Sequence, residues 1–216
     1  MARQKLNLLL LLSMICVSGL LSEPVLARTS RSSRSRSRAY IMAACKRTRY
    51  PSLCYQCLSG MASRGRIETP HQVAQAALSV ALYKAMYTRA YMMKVAKVLK
   101  AMNPKGRDYQ SIQDCTNQLS SGIYQMTQSI NELRRLGHGP VGNDFYFHMS
   151  NIETWISTTI TDAMMCVEEF PGHRMGKVKA TIKGKVLNVA MTASNALYLF
   201  HSFAQKYVAA RALHKP

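Results

Sequence analysis

From Asp144 to Phe170 the chain runs without a proline or a glycine. Within that run, apolar or small residues recur at Phe147, Ile152, Trp155/Ile156, Thr159/Ile160, Ala163, Cys166/Val167 and Phe170. Steps of three and four residues put them on one face of an α-helix, whereas a half-buried strand would alternate every second residue. Pro171-Gly172 ends the run, because proline cannot continue the hydrogen-bond ladder and glycine accepts the C-terminal turn. A long helix with one apolar face must bury that face, and the sequence offers only other helices to bury it against. The run also holds the single tryptophan, Trp155, whose place on the stripe reads as core packing, and Cys166 near its end.

Three further segments share this character. Pro70–Met102 is rich in Ala, Val, Leu and Met, begins at Thr69-Pro70 and stops at Asn103-Pro104-Lys105-Gly106. Arg107–Leu136 carries Ile112, Cys115, Leu119, Ile123, Met126, Ile130 and Leu133 at steps of three and four, and Gly137-His138-Gly139-Pro140 closes it. The last runs from about Lys177 to Val208, with Val178, Ile182, Val186, Val189, Ala193, Leu197, Phe200 and Ala204 on its stripe. Strand-like alternation is absent at useful length. Helices of similar length joined by short links predict an all-α, up-down-up-down four-helix bundle. In that topology the second and third helices are antiparallel neighbours. Cys115 lies near the start of one and Cys166 near the end of the other, so a Cys115–Cys166 bridge is geometrically natural.

The N-terminus is read separately from the fold. Arg3 and Lys5 precede the apolar run Leu6–Leu21, and Val25-Leu26-Ala27 supplies the small side chains of a cleavage site. Residues 1–27 are expected to be a secretory signal peptide, since the run is short for a membrane span. The remaining chain is expected to be secreted, where its thiols oxidise. Setting Cys16 aside leaves Cys45, Cys54, Cys57, Cys115 and Cys166, an odd set that implies one free thiol. Arg28–Arg38, RTSRSSRSRSR, has no apolar residue and is expected to be a disordered tail. The folded domain then covers 39–210. Its first part, 39–66, reads as a helical hairpin, with the turn at Tyr50-Pro51. A Cys45–Cys54 bridge would close a small loop there. Cys54-Tyr55-Gln56-Cys57 also has the spacing of a redox or zinc CxxC. A redox site would want a βαβ context, and a zinc site a further ligand at suitable spacing; neither is present.

A net charge of +19 ordinarily suggests nucleic acid. For an extracellular protein it points instead to a polyanionic polysaccharide or an acidic protein surface. Catalytic patterns are missing: there is no GxSxG, HExxH or P-loop. The histidines, His71, His138, His148, His173, His201 and His214, never fall at i, i+4 on one helix, and His148 and His201 read as structural. The scarcity of acidic residues argues against a paired-carboxylate site. Asp144 reads as a helix-start charge, Asp162 as a surface contact, and Met164-Met165 as core filler. No Asn-x-Ser/Thr sequon occurs. No cofactor or metal is expected. A secreted helical bundle without catalytic groups reads as a binding protein rather than an enzyme.

Specific stretches sharpen that reading. They are Cys45-Lys-Arg-Thr-Arg-Tyr-Pro-Ser-Leu-Cys54, Ala76-Ala-Leu-Ser-Val80, Asp114-Cys115, Met149-Ser-Asn-Ile-Glu-Thr-Trp-Ile-Ser157, Thr161-Asp162, Cys166-Val-Glu-Glu-Phe170, Asn188-Val-Ala190 and Ser194-Asn-Ala-Leu197. With these the chain resembles the plant invertase and pectin methylesterase inhibitor family over nearly all of its length after the tail. The resemblance implies a four-helix bundle with an N-terminal helical hairpin and bridges Cys45–Cys54 and Cys115–Cys166, leaving Cys57 free. The MSNIETWIS stretch is similar to the pectin methylesterase inhibitor branch. The Pro-Lys-Phe motif that invertase inhibitors carry between the second and third bundle helices is missing from Gly137–Phe145.

The function so implied is occlusion of the esterase's substrate cleft in the apoplast and cell wall. The alternatives are an invertase (β-fructofuranosidase) inhibitor or a non-inhibitory basic wall protein. The implied partner is pectin methylesterase, with cell-wall invertase as the alternative and acidic pectin as a further partner for the basic tail; nucleic acid and membrane are not expected. Some positions depart from the family pattern. Acidic residues common two and six positions after the second-helix cysteine are replaced by Asn117 and Ser121, and the usual threonine before the third-helix cysteine by Met165, while Glu168 is kept. Asn117, Ser121, Met165 and Glu168 are therefore the candidate enzyme contacts.

Overall fold

The computed structural model describes residues 32–63, 67–136, 141–170 and 176–212. The expected signal peptide, Gly137–Pro140, Pro171-Gly172 and three of the histidines, His138, His173 and His214, lie outside the described residues. All regular structure within them is helical. Helix α1 spans 32–45 and α2 Pro51–Ser59, followed by a short 3-10 turn at Met61–Ser63. The four long helices are α3, Pro70–Met102; α4, Arg107–Arg135; α5, Asn143–Glu168; and α6, Lys177–Ala212.

Local chemistry explains where these helices begin and end. The Thr69 side chain accepts from the Gln72 amide while the Gln72 side chain accepts from the Thr69 amide, and Pro70 supplies the first turn of α3. Asp108 lies in the first turn of α4 and Arg134 and Arg135 in its last, each sign matched to the helix dipole. Asp144 does the same for the start of α5.

Each long helix packs on the two that flank it, and α3 and α6 close the ring. Every neighbouring pair is antiparallel. Arg89 meets Ser120 and His71 meets the Leu133 carbonyl between α3 and α4. Cys115 is bonded to Cys166, and Thr159 reaches Gly122, between α4 and α5. Lys183 reaches the Phe170 carbonyl beyond the end of α5. The α4/α5 seam is close at Gly122: a Cβ there would stand 3.1 Å from Thr159 Cγ2, tighter than ordinary contact. The core has two halves. One joins α1 and α2 to Leu78, Met126, Ile152 and Phe200. The other gathers Met92, Ile112, Leu119, Ile182 and Val186 around the Cys115–Cys166 bridge.

Both disulfides link the expected residues, Cys45 to Cys54 and Cys115 to Cys166, and Cys57 is a free thiol. The structure corrects several finer expectations. Disorder of the arginine-serine stretch does not extend to Arg38, because residues 32–38 are the opening turns of α1. Ser37 is fully buried, and its hydroxyl accepts from the Ile67 amide. Small serines let this side of α1 lie against the loop before α3, while Arg34, Arg36 and Arg38 project into solvent. On α5 the stripe begins at Phe145, buried against Tyr207, and Phe147 is exposed. Trp155 is only partly buried, at the edge of the stripe that Ile152 and Ile156 define. Met164 and Met165 are exposed rather than core filler, because Ala163 and Cys166 take the inward positions of that turn. Val178 is likewise exposed, and Ile182 is the first buried residue of α6.

Candidate functional site

The α4/α5 seam orders the candidate contacts. With Cys115 joined to Cys166 and Gly122 against Thr159, each step forward on α4 is a step back on α5. Asn117 therefore stands level with Met164, and Ser121 with Ile160. Asn117 and Ser121 are exposed and one turn apart on α4. The Ser121 hydroxyl faces the Asp162 carboxyl across the seam, on the outward side of the helix pair. Met165, 51% exposed, and the exposed Glu168 follow Asp162 on α5 at three-residue steps. The structure thus brings the four candidates into one outward strip. The opposite side of α4, with Thr116 and Ser120, turns toward α3, where Ser120 accepts from Arg89 Nε at 2.6 Å.

The charge of α5 is one-sided. Helix α5 carries Asp144, Glu153, Asp162 and Glu168 and has neither lysine nor arginine. Asp162 is not the plain surface contact that the sequence suggests: it is partly buried, and its Oδ2 has no hydrogen-bond partner among the described residues. Burial raises the Asp162 carboxyl above its ordinary value, and the Ser121 hydroxyl offsets part of the rise. A folded-state value above the unfolded one means that folding is penalised once the ionised form dominates. The stability held below the ordinary carboxyl value is lost as pH rises through the raised one. Asp162→Asn is therefore expected to raise the urea midpoint at neutral pH, with the gain shrinking toward zero in acid. A gain independent of pH would show that the carboxyl's ionisation is not its source.

Sequence reasoning misses two members of this surface. Met164, 41% exposed, adds to the apolar part of the strip, and Tyr124, 66% exposed, stands one turn beyond Ser121 on α4. The available signal is a large apolar residue off the helical stripe, which registers only once the inward face is known.

The described histidines sit against structural neighbours. His71 Nε2 lies 2.9 Å from the Leu133 carbonyl, and its ring meets Phe203 edge-on. His148 bonds Glu132, which is buried and also lies 3.4 Å from Arg135. His201 Nε2 is 3.2 Å from Glu153 Oε1, out of line for a hydrogen bond. Cys54 is committed to Cys45, so the Cys54–Cys57 pair is not a dithiol. Burial raises the Cys57 thiol, and the neighbouring Lys84 offsets only part of this. Among the described residues no group of three His, Cys, Asp or Glu side chains is placed to hold a metal, and no helix is long and apolar enough to cross a membrane.

Comparison with known proteins adds an independent line. Residues 39–199 match the family model described as plant invertase/pectin methylesterase inhibitor. The chain is 38% identical over 189 residues to pectinesterase inhibitor 9 of Arabidopsis thaliana, covering 87% of this chain and 92% of the relative. It is 34% identical over 201 residues to pectinesterase inhibitor 11 of the same plant, covering 92% and 95%. A crystal structure of a mutant form of a pectin methylesterase inhibitor from Arabidopsis superposes with a TM-score of 0.55 at 15% identity, covering 74% of this chain and 95% of the other. At that identity the likeness speaks for the bundle alone.

Proposed function

The chain belongs to the plant invertase/pectin methylesterase inhibitor family, and from that premise we propose that it inhibits pectin methylesterase by laying the α4/α5 strip across the enzyme's substrate cleft. The observation that carries this reading is the family match over 39–199, within which relatives at 34% and 38% identity are named as pectinesterase inhibitors. The structure supplies a surface suited to it. Asn117, Ser121, Met165 and Glu168 stand on two helices locked together by a disulfide, so little conformational freedom remains to be lost on binding. The protein acts as an inhibitor and not as an enzyme. A signal peptide at 1–27 and secretion to the cell wall belong to this reading, with a folded domain that begins at α1, before the expected residue 39. A hold on acidic pectin by the N-terminal arginines belongs to it as well, with Arg34, Arg36 and Arg38 exposed to make that contact.

The test titrates a pectin methylesterase and a cell-wall invertase with the oxidised mature protein at mildly acidic pH. Saturable loss of esterase activity alone is expected. Loss of invertase activity alone would assign the chain to the other half of the family, and no loss in either would overturn inhibition. Asn117→Asp, at an exposed position, is expected to tighten esterase inhibition. Ser121→Asp is a different experiment. It sets a second carboxylate against the partly buried Asp162, where like charges oppose ionisation, so it is expected to cost stability.

A further inference from the structure

Charge is segregated between the two sides of the bundle. Helix α3 holds five Lys and Arg residues and α6 holds six, and neither helix contains an aspartate or glutamate. These two helices pack side by side, on the side of the bundle away from the α4/α5 seam. Some of the cations are engaged locally: Arg89 with Ser120, Lys179 with Asp108 and Lys183 with the Phe170 carbonyl. Lys94, Lys97 and Lys100 instead project from the second half of α3 into solvent.

A tyrosine ladder runs along the same face. Tyr83, Tyr87 and Tyr91 follow one another at four-residue steps, and Lys94 continues the row. The Tyr83 and Tyr87 rings are 6.4 Å apart with their planes within 22° of parallel. They are 67% and 56% exposed, far more than packing on this bundle requires of an aromatic side chain. Lys185 of α6 sets its ammonium 4.7 Å from the Tyr87 centroid and 5.1 Å from that of Tyr91. That contact ties the two helices into one surface and holds a positive charge at the ladder's edge. From Tyr83 to Lys97 the face extends about 21 Å along α3.

We propose that the α3/α6 face binds an extended acidic polysaccharide, a polyuronate, independently of the α4/α5 strip. The ligand's two chemistries match the two found here. Sugar rings present C–H faces that pack on exposed tyrosines, whose π-faces are electron-rich and whose hydroxyls reach ring oxygens and hydroxyls. Carboxylates repeated along the chain are met by Lys94, Lys97 and Lys185, with no carboxylate on either helix to compete. Binding to such a polymer releases its counterions, so it weakens with salt. The face itself stands on geometry and charge. The choice of a uronate over another polyanion rests on the reading that the protein works beside pectin methylesterase, whose product carries free carboxylates.

The test is retention of the full mature protein on immobilised, fully de-esterified polygalacturonate through a salt gradient, with highly methyl-esterified pectin, dextran sulfate, single-stranded oligonucleotide and anionic vesicles as parallel arms. Preferential retention on polygalacturonate is expected. Tyr83→Ala/Tyr87→Ala should weaken it roughly tenfold, and Lys94→Gln/Lys97→Gln/Lys185→Gln should move elution to lower salt. Esterase inhibition by both variants should equal the parent's, since neither touches the α4/α5 strip. Unchanged retention in both variants would overturn the proposal and assign polymer binding to the N-terminal arginines. Equal or stronger binding to dextran sulfate, oligonucleotide or vesicles would overturn the uronate assignment. A parent that binds polygalacturonate without inhibiting the esterase would strike the inhibitor reading and leave this one standing.

Discussion

Replacing Cys115 and Cys166 together by alanine is expected to lower the thermal midpoint by about 10 °C. The bridge closes a segment of 51 residues, and a loop of that length removes unfolded-state entropy worth about 4 kcal/mol at room temperature. For a domain of this size each kcal/mol moves the midpoint by roughly 2–4 °C. Both cysteines are fully buried between α4 and α5, so the alanines also leave the packing around Ala163 and Ile112 looser. The Cys45–Cys54 bridge spans only 9 residues, for which the same argument gives about 2.6 kcal/mol. Removing it should cost less and act mainly on the hairpin. Calorimetry on the two double variants checks the order. Equal shifts would mean that loop length is not what sets the stabilisation.

The second large effect is expected at Asn195. This side chain is buried on α6, and its amide bridges the hairpin turn in both directions. Nδ2 donates to the Tyr50 carbonyl and Oδ1 accepts from the Tyr50 amide, each at 3.0 Å. Asn195→Ala removes both bonds and leaves the Tyr50 N–H without its acceptor in a partly buried place, a loss of about 2–3 kcal/mol. Hydrogen exchange should show faster opening across 40–58 while the protection of α4 and α5 is kept, because the bundle core does not depend on this contact. Asn195→Asp keeps the acceptor, loses the donor and buries a charge, so it should be no better than alanine. Unaltered protection across 40–58 in the alanine variant would show that apolar packing of Ile41, Cys54 and Leu58 alone holds the hairpin.

Much of the candidate site is legible in the sequence, and the reason is periodicity. Cys115, Leu119, Met126 and Leu133 repeat at helical spacing and are all buried. That same pattern places Asn117 and Ser121 off the buried face. The antiparallel order that puts Met165 beside them follows from short links between helices. What periodicity does not resolve is the edge of each stripe. Phe145 and Phe147 are both aromatic and both lie near the start of α5, yet only Phe145 meets Tyr207. Trp155 sits one position from the buried Ile156, and hydrophobicity alone does not say which of the two faces in.

The sequence by itself determined the helices, their caps, the two bridges and the family, because each depends on local spacing or on a few residue types. It also held the charge of each helix: α3 and α6 without acid, α5 without lysine or arginine. Only the tertiary structure decided that α3 and α6 are neighbours, so that their cations and tyrosines share one face, on the side of the bundle away from the α4/α5 seam. Only it joined Asn195 to Tyr50 across 145 residues and set Ser121 against Asp162. Those are contacts between side chains far apart in the chain, and their existence depends on the rotation of each helix about its own axis. That rotation is set by how all the buried faces pack together, which no single segment contains.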